Sequence, residues 1–236
     1  MLLLGIETAT RRVGVVLASE EGMLGRVELG GHADVGPPRH AERLAPAIEY
    51  CFDTLGTTLD HVSAIAVGVG PGMFTGLRVG VTTAKVLAQA LRIPVIPVSS
   101  LDLLAYPLRH TRSLVVATID ARRNELYYAL YRPVPGGVQR DSEYEIGSPD
   151  DVIAELEARG EDALVCGDGA LRFEKAFNDV DHAELAGPAH AAPSLAALAE
   201  LATARYQREE FCAAADVLPL YLRKSDAELA WDRKDR

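Results

Sequence analysis

Residues 70–80 read Gly70-Pro71-Gly72-Met73-Phe74-Thr75-Gly76-Leu77-Arg78-Val79-Gly80, and they join the apolar run 64–69 to a run with helical spacing that ends near Leu91. Glycine reaches positive φ without steric cost and proline fixes its own φ, so the first three residues predict a tight turn. A strand, a tight turn and a helix in this order indicate an α/β unit.

The helix that follows the turn carries three features that lead to predictions. Thr75 can place its hydroxyl on the free N–H groups of the first helical turn and is expected to cap it. Gly76 and Gly80 remove side chains along one line, which would let another helix approach closely. Apolar residues fall on one helical face; they are Leu77, Val81, Ala84, Ala88 and Leu91.

The glycine turn itself has two interpretations. A glycine turn before a helix N-terminus is a candidate anion site, because the free N–H groups point at the ligand. It is also the geometry that a tight strand-to-helix connection needs for local reasons alone. The stretch contains neither the G-x-x-x-x-G-K-[ST] pattern of a P-loop nor G-x-G-x-x-G in dinucleotide-binding form, because residue 75 is Thr.

Composition narrows the class of protein. The chain has 236 residues, 48% of them hydrophobic, with a formal net charge of −10 and three widely spaced cysteines. It can bury a sizeable core, the cysteines predict reduced thiols rather than disulfides, and the negative charge argues against tight direct binding of tRNA. No apolar run approaches the roughly 18 residues of a membrane span, so we expect a cytoplasmic protein without membrane attachment.

The predicted element order, βββαβα, occurs twice along the chain. An acid follows an apolar strand at Ile6-Glu7-Thr8, and Ile119-Asp120-Ala121 repeats this pattern in the second half. The repeat predicts an α/β fold of two similar lobes, each a mixed β-sheet with flanking helices. We place the lobes at residues 1–110 and 111–223, followed by a charged flexible tail at 224–236.

Two local expectations concern single elements. Pro46 lies early in the first predicted helix and is expected to kink that helix or to delay its start. Residues 218–222 are predicted as a final edge strand, and the loop at 32–39, which contains Gly36-Pro37-Pro38, is predicted to be exposed.

Residues with catalytic potential are few. Glu7 ends the first strand, where a carboxylate could hold a metal or orient a water molecule; the alternative is a turn acid that accepts hydrogen bonds from the N–H groups of residues 8–10. Asp120 occupies the equivalent position and is predicted to form a local salt bridge with Arg122. The six histidines include no pair three to five residues apart, so no local metal site is predicted.

Five stretches, in the same order along the chain, resemble the TsaB (YeaZ) family. The most specific resemblance is to GPGSFTGLRVG, which residues 70–80 match with Met73 in place of Ser. Glu7 and Ala9 stand where the family usually has Asp and Ser, and these departures weaken any expectation of phosphate transfer. The similar stretches are residues 4–10, 40–48, 70–80, 120–127 and 218–223.

This resemblance implies the duplicated actin-like/Hsp70/sugar-kinase fold and a role without catalysis. The protein would be a partner and activator of TsaD in forming threonylcarbamoyladenosine at position 37 of tRNAs that read ANN codons. TsaD would bind through a bundle of two helices from each protein, and TsaE, an ATPase, would join the assembly. The chain alone would form a homodimer, tRNA would be reached only through the complex, and no cofactor is expected on this chain because ATP and metal belong to the partner subunits.

Two sets of residues are candidates for function under this resemblance. Two other functions are alternatives to the activator role. One is an enzyme, either an actin-like-fold ATPase or kinase or a glycoprotease-type enzyme, and the other is a structural dimer with another partner. The candidate partner-binding residues are His40, Leu44, Ile48, Phe74, Thr75, Leu77, Arg78 and Val81. The candidate vestigial nucleotide loop consists of Glu7, Thr8, Thr10, Gly70 and Gly72.

Overall fold

The computed structural model describes residues 1–30 and 39–223, and these ranges contain eleven strands and seven α-helices. The strands are β1 (Leu2–Glu7), β2 (Val13–Ser19), β3 (Gly22–Leu29), β4 (Ala64–Gly68), β5 (Val95–Val98), β6 (Leu114–Arg122), β7 (Glu125–Val134), β8 (Gly137–Arg140), β9 (Glu145–Gly147), β10 (Ala163–Cys166) and β11 (Ala183–Leu185). The helices are α1 (His40–Leu55), α2 (Phe74–Leu91), α3 (Ser100–Ala105), α4 (Pro149–Arg159), α5 (Asp168–Arg172), α6 (Glu174–Asn178) and α7 (Leu195–Gln207).

The strands form two sheets of matching topology. The first has the order β3-β2-β1-β4-β5, and the second has the order β8-β7-β6-β10-β11, with β9 beside β7. In each sheet the central strand is antiparallel to its hairpin partner and parallel to the strand that follows the first helix: β1 with β2 and β4, β6 with β7 and β10. The second sheet thus repeats the first strand by strand. The predicted duplicated actin-like fold, with two mixed sheets and flanking helices, is confirmed.

Helices and sheets alternate in layers. The apolar faces of α1 and α2 cover one side of the first sheet, where they meet inward residues of β1, β2 and β4. On the second sheet, α4 and the two short helices α5 and α6 cover the outer side. Helix α7 and Leu103 of α3 cover the other side of the first sheet, and α3 also packs on the second sheet.

The last helix of each repeat packs mainly on the sheet of the other repeat. Leu195 and Leu198 of α7, which follow the second sheet in sequence, lie in one apolar cluster with Leu3 and Val16 of the first sheet. Leu104 of α3 lies in a cluster with the second sheet. The division at residue 110 therefore describes chain order, whereas α7 belongs in space to the first lobe.

The structure corrects the predicted edge strand and excludes one of the two outcomes expected from Pro46, the delayed start of the first helix. Helix α1 begins at His40 and continues through Pro46. Pro46 is exposed, so the carbonyl that loses its amide partner can bond to water and the helix need not start later. Residues 218–222 form no strand; they run as an irregular segment, and the Leu220 N–H donates to the Val69 carbonyl over 2.7 Å.

The C-terminal segment, residues 208–223, returns to the first lobe and is fastened there. Cys212 pairs with Val95 at the edge of β5. The Lys85 ammonium of α2 donates to the carbonyls of Ala215 and Val217 over 3.2 and 2.9 Å. The segment is thereby held against α2, and its last residues reach the second lobe. The predicted tail at 224–236 and most of the predicted 32–39 loop lie outside the described residues.

Candidate functional site

The carboxylate of Glu7, the first candidate for chemistry, is enclosed. Its side chain is 4% exposed. The Ala9 N–H donates to Oε1 over 2.6 Å and the Ser100 hydroxyl donates to Oε2 over 2.9 Å. Burial raises the pKa of the carboxyl above its ordinary value, and the hydrogen bonds from Ala9, Ser100 and Thr8 partly oppose this. Glu7 therefore ties the end of β1 to α3, which is the turn-acid alternative of the sequence interpretation.

Helix α2 lies directly on the turn between β1 and β2. The Met73 N–H donates to the Ala9 carbonyl over 2.7 Å, and the Thr8 hydroxyl donates to the Gly76 carbonyl over 2.8 Å. A Cβ on Gly72 would overlap the Ala9 carbonyl, and one on Gly76 would overlap the Thr8 carbonyl. The close approach that these glycines permit is therefore to the chain's own turn.

Two sequence expectations about this stretch are corrected by that packing. The glycine line of α2 was expected to face another helix, but a Cβ on Gly80 would overlap the buried Thr8 hydroxyl. Thr75 was expected to cap the helix; the cap position is Met73, and Thr75 lies exposed within the first turn. Gly70 does take a positive φ, 94°, as the tight turn requires.

His40 closes the other side of this cluster. The ring is 1% exposed at the first residue of α1, and Nε2 lies 2.7 Å from the Thr10 carbonyl, to which it donates. Burial lowers the pKa of His40, so the ring is held neutral. The candidate nucleotide-loop residues are thus brought together, where they contact each other, Gly76 and His40, and Gly72 also lines a cleft described below.

The eight candidate partner-binding residues divide into buried and exposed groups. Phe74, Thr75 and Arg78 are exposed at the start of α2, with Phe74 40% exposed. The other five are buried against the chain's own core, and one of them, Ile48, also lines a groove between α1 and α2. They are His40, Leu44, Ile48, Leu77 and Val81. A helix that lies on a sheet turns its apolar stripe inward, so the same periodicity that marks the stripe also explains its burial.

The outward side of α1 and α2 forms a second surface, which we call the outer face. Most of its exposed side chains are small or β-branched, and Val86 is 59% exposed. A groove of about 400 Å³ runs between the two helices. The exposed residues of the outer face are Ala45, Pro46, Glu49, Thr75, Thr82 and Val86. On α2 the spacing 75–82–86 follows helical periodicity, which is the sequence signal that could have indicated them.

A cleft of about 530 Å³ opens where the two lobes and the C-terminal segment meet. We call it the interlobe cleft. Three of the stretches that carry the family resemblance converge on it: the start of α2, the β6–β7 hairpin and the C-terminal segment. Its lining includes Phe74, Thr75, Arg78, Asp120, Arg122, Arg123, Tyr127, Tyr221 and Arg223.

Aromatic rings and guanidinium groups fix one wall of the interlobe cleft. The Arg78 guanidinium lies over the Phe74 ring at 3.9 Å, and the Phe74 and Tyr221 rings lie 5.4 Å apart, tilted by 40°. Arg223 donates to the Ala121 carbonyl over 2.9 Å and pairs with Glu125. The C-terminal segment is therefore bound to both lobes at this point.

The β6–β7 hairpin forms the opposite wall. Arg122, Arg123 and Asn124 all have positive φ, between 53° and 63°. The predicted salt bridge from Asp120 to Arg122 is confirmed at 3.0 Å. A second cation, Arg172 of α5, donates to both Asp120 oxygens over 2.8 and 2.7 Å; its position 52 residues away gave no signal in the sequence.

Metal-ligating clusters and membrane-spanning helices are both absent from the described ranges. Within residues 1–30 and 39–223, no three His, Cys, Asp or Glu side chains cluster in a way that could hold a metal ion. No helix in the same ranges combines the length and hydropathy that crossing a bilayer requires.

A family model, curated relatives and a solved structure all match most of this chain or a large part of it. A family model described as TsaD: tRNA N6-adenosine threonylcarbamoyltransferase matches residues 35–231. The tRNA threonylcarbamoyladenosine biosynthesis protein TsaB of Haemophilus influenzae is 31% identical over 99% of this chain and 97% of its own length. TsaB of Escherichia coli is 32% identical over 66% of this chain and 65% of its own length. The solved structure of YeaZ from Pseudomonas aeruginosa superposes with a TM-score of 0.77 and 31% identity, covering 94% of this chain and 99% of that one. The chain therefore belongs to the TsaB (YeaZ) family.

Proposed function

We propose that this chain is a non-catalytic subunit that binds and activates a TsaD-type transferase. The reaction served is the formation of threonylcarbamoyladenosine at position 37 of tRNAs that read ANN codons. The observation that carries the proposal is the closed β1–β2 turn: Thr8 and Ala9 fill the space in front of the glycine turn of α2. A phosphate-transfer enzyme needs that space for its substrate and needs free backbone N–H groups at the turn, but the Met73 N–H already donates to Ala9.

The carboxylate that ends β1 supports the same proposal. Glu7 is surrounded by protein donors and held in a buried position. A general base or metal ligand must reach a substrate, water or ion in its working geometry. Glu7 instead lies at the junction of β1, β4 and α3. Its carboxylate packs so closely on Gly68 of β4 that a Cβ at position 68 would overlap it.

The outer face supports binding to a protein partner. Val86 and its neighbours expose apolar side chains on two adjacent helices, and the groove between those helices can receive side chains of a helix pair on the partner. We propose that TsaD binds here, with Phe74, Thr75 and Arg78 at one end of the contact. The five buried candidates would act by holding α1 and α2 in place.

The remaining partners follow from this arrangement as further proposals. The same face would pair two copies of the chain when TsaD is absent, since one exposed patch can be used twice around a two-fold axis. TsaE would join the TsaD complex, ATP and metal would be bound by the partner subunits, and tRNA would be reached through the complex in the cytoplasm.

A reconstituted reaction tests the function. TsaD, TsaE, threonylcarbamoyl-AMP, ATP and tRNA are combined with the chain present or omitted, and modified adenosine is measured. We expect modification to collapse when the chain is omitted and the chain alone to be inactive. Undiminished modification without it would refute the proposed role, and turnover of ATP by the isolated chain would support the actin-like-fold enzyme instead.

A matched pair of variants tests the face. Val86→Glu places a charge on the outer face and should weaken binding to TsaD at least tenfold, about 1.4 kcal/mol. Val134→Glu, at an exposed position in the second lobe, should leave binding unchanged. Both side chains are exposed, so each variant should keep its free energy of unfolding within about 0.5 kcal/mol. Equal binding by both variants, measured by titration calorimetry, would remove the outer face from the proposal.

A further inference from the structure

The interlobe cleft shares only the start of α2 with the contact proposed for the outer face, and it is a built site. Three segments far apart in sequence meet there, and Arg223 joins two of them through Ala121 and Glu125. The Phe74–Tyr221 contact joins the third. Exposed aromatic rings held in a fixed arrangement beside guanidinium groups are typical of binding sites rather than of solvated surface.

The cleft is positive in a chain that is negative as a whole. Four arginines line it against one aspartate, whereas the chain carries a net charge of −10. The negative charge of Asp120 is already shared by Arg122 and Arg172. The Arg122 side chain remains 49% exposed while it makes that contact, so it can also face a ligand. This local reversal of sign indicates an anionic ligand.

Arg78 is held in a geometry that suits a carboxylate. Its guanidinium carbon lies 3.9 Å from the centroid of the Phe74 ring, a contact that restrains the side chain while its N–H groups can still form hydrogen bonds. Among the described residues, Arg78 pairs with no carboxylate. A guanidinium fixed in this way can form a bidentate hydrogen bond to a carboxylate with little loss of side-chain entropy.

Two observations disfavour nucleotides and nucleic acid as the ligand. Phosphates are bound most readily by free backbone N–H groups at a glycine turn, but the Met73 N–H next to the cleft already donates to Ala9. Bases need an open ring face on which to stack, but the Phe74 ring already contacts both Arg78 and Tyr221. A base would have to displace one of them.

We propose that the interlobe cleft binds an acidic polypeptide segment of a protein partner, with Arg78 and Arg122 receiving its carboxylates and Tyr221 contacting its backbone or side chains. The start of α2 belongs both to the cleft and to the end of the outer face, so one partner can contact both surfaces. The inference depends on the proposed function only for the identity of that partner.

A peptide-binding experiment on the full-length chain tests this inference. The probe is a fluorescein-labelled twelve-residue peptide in which Glu alternates with Ser, and binding is followed by fluorescence anisotropy. The control peptide has Gln in place of Glu. We expect the Glu peptide alone to bind, and to bind more weakly as NaCl is raised from 0.05 to 0.5 M, since salt screens exposed charges.

The variants remove charge without disturbing the backbone. The double variant Arg78→Gln/Arg122→Asn keeps a helix-compatible residue at 78 and a residue that tolerates positive φ at 122. It should weaken binding at least tenfold, while Arg26→Gln, on edge strand β3 outside the cleft, should leave binding unchanged. Thermal melting verifies that each variant is folded. Arg78→Lys keeps the charge but loses the planar fork, so it should bind with intermediate affinity.

Three results would overturn the inference. The double variant could bind the Glu peptide as tightly as the parent chain does, or the Glu and Gln peptides could bind equally. Alternatively, ATP or a twelve-nucleotide single-stranded RNA could bind more tightly than the Glu peptide and lose binding in the double variant, which would assign the cleft to nucleotides or to RNA. None of these measurements contains TsaD. A negative result here would refute the cleft proposal alone, whereas a negative result with the outer-face variants would refute the proposed TsaD contact.

Discussion

The contact between Gly80 and Thr8 allows a quantitative test of how α2 is seated on the first lobe. Gly80→Ala would place a Cβ on the Thr8 hydroxyl, which is buried and donates to the Gly76 carbonyl over 2.8 Å. Overpacking of this kind costs about 1–3 kcal/mol, and turning the hydroxyl away loses a hydrogen bond of about 1 kcal/mol. Alanine recovers about 1 kcal/mol through its helix propensity. The free energy of unfolding should therefore fall by about 1–3 kcal/mol.

Repeating Gly80→Ala in a Thr8→Ala background tests whether the Thr8 hydroxyl oxygen is the atom that requires glycine at position 80. In Thr8→Ala the hydroxyl is absent, and the nearest remaining atom to a Cβ at position 80 is the Cβ of residue 8 at 3.4 Å, an ordinary contact. Gly80→Ala should then raise stability by about 0.5–1 kcal/mol, which gives a coupling energy of about 1.5–4 kcal/mol in the double-mutant cycle. Gly76→Ala is the control, because its Cβ would meet the backbone carbonyl of Thr8, which Thr8→Ala does not remove.

Urea unfolding followed by circular dichroism measures the four stabilities of the cycle. In the parent background, Gly80→Ala should also lower the Tm by roughly 2–12 °C, given about 2–4 °C per kcal/mol for a chain of this size. If Gly80→Ala destabilises both backgrounds equally, the Thr8 hydroxyl is not the atom that requires glycine at position 80. If Thr8→Ala rescues Gly76→Ala as well, the turn moves as a unit and the assignment to one atom is refuted.

Three further predictions concern single side chains. Because the folded-state pKa of Glu7 is raised above 4.5, the folded protein binds more protons than the unfolded one between the two values; Glu7 therefore contributes a loss of stability as pH rises through that window. Glu7→Gln should remove this component, and parallel pH–stability curves for the two proteins would contradict it. Val81→Asp places a charge in the core and should cost about 3 kcal/mol or more, whereas the neighbouring exposed change Thr82→Asp should cost under about 0.5 kcal/mol; equal unfolding midpoints in urea would show that Val81 is not buried as described. Lys85→Met removes two hydrogen bonds to the C-terminal segment, so limited proteolysis should cut residues 208–223 faster than in the parent chain, and an unchanged rate would show that other contacts hold the segment.

Helical periodicity located α2 and its apolar face correctly, but it could not decide what that face contacts. Leu77 and Val81 recur at the spacing of a buried stripe, and the same spacing fits a stripe that binds a partner. The sheet beneath the helix settles the question, because β1, β2 and β4 must be covered on both sides. The sequence gives a weaker periodic signal for the outer face than for the buried face, because Thr82 and Val86 lie among residues of mixed polarity.

Glycine in α2 shows a different limit of sequence interpretation. Gly76 and Gly80 do mark a close approach, as expected, but the atom that approaches belongs to the turn after β1, some 70 residues earlier. The duplicated topology was predictable because it depends on element order alone. The interlobe cleft could not be predicted from the sequence. Arg78, Arg122 and Arg223 lie far apart along the chain and come together only where the two lobes and the C-terminal segment meet.

The exchange of α3 and α7 between the lobes has a consequence for synthesis on the ribosome. When β1–β5 have emerged from the exit tunnel, α1 and α2 can already cover one side of their sheet. The other side, which includes Leu3 and Val16, finds its main cover only when Leu195 and Leu198 arrive, after most of the second lobe has been made. A nascent chain with an uncovered apolar sheet is exposed to misfolding and to chaperone binding. The first half to be translated is therefore among the last parts of the molecule to acquire a complete core.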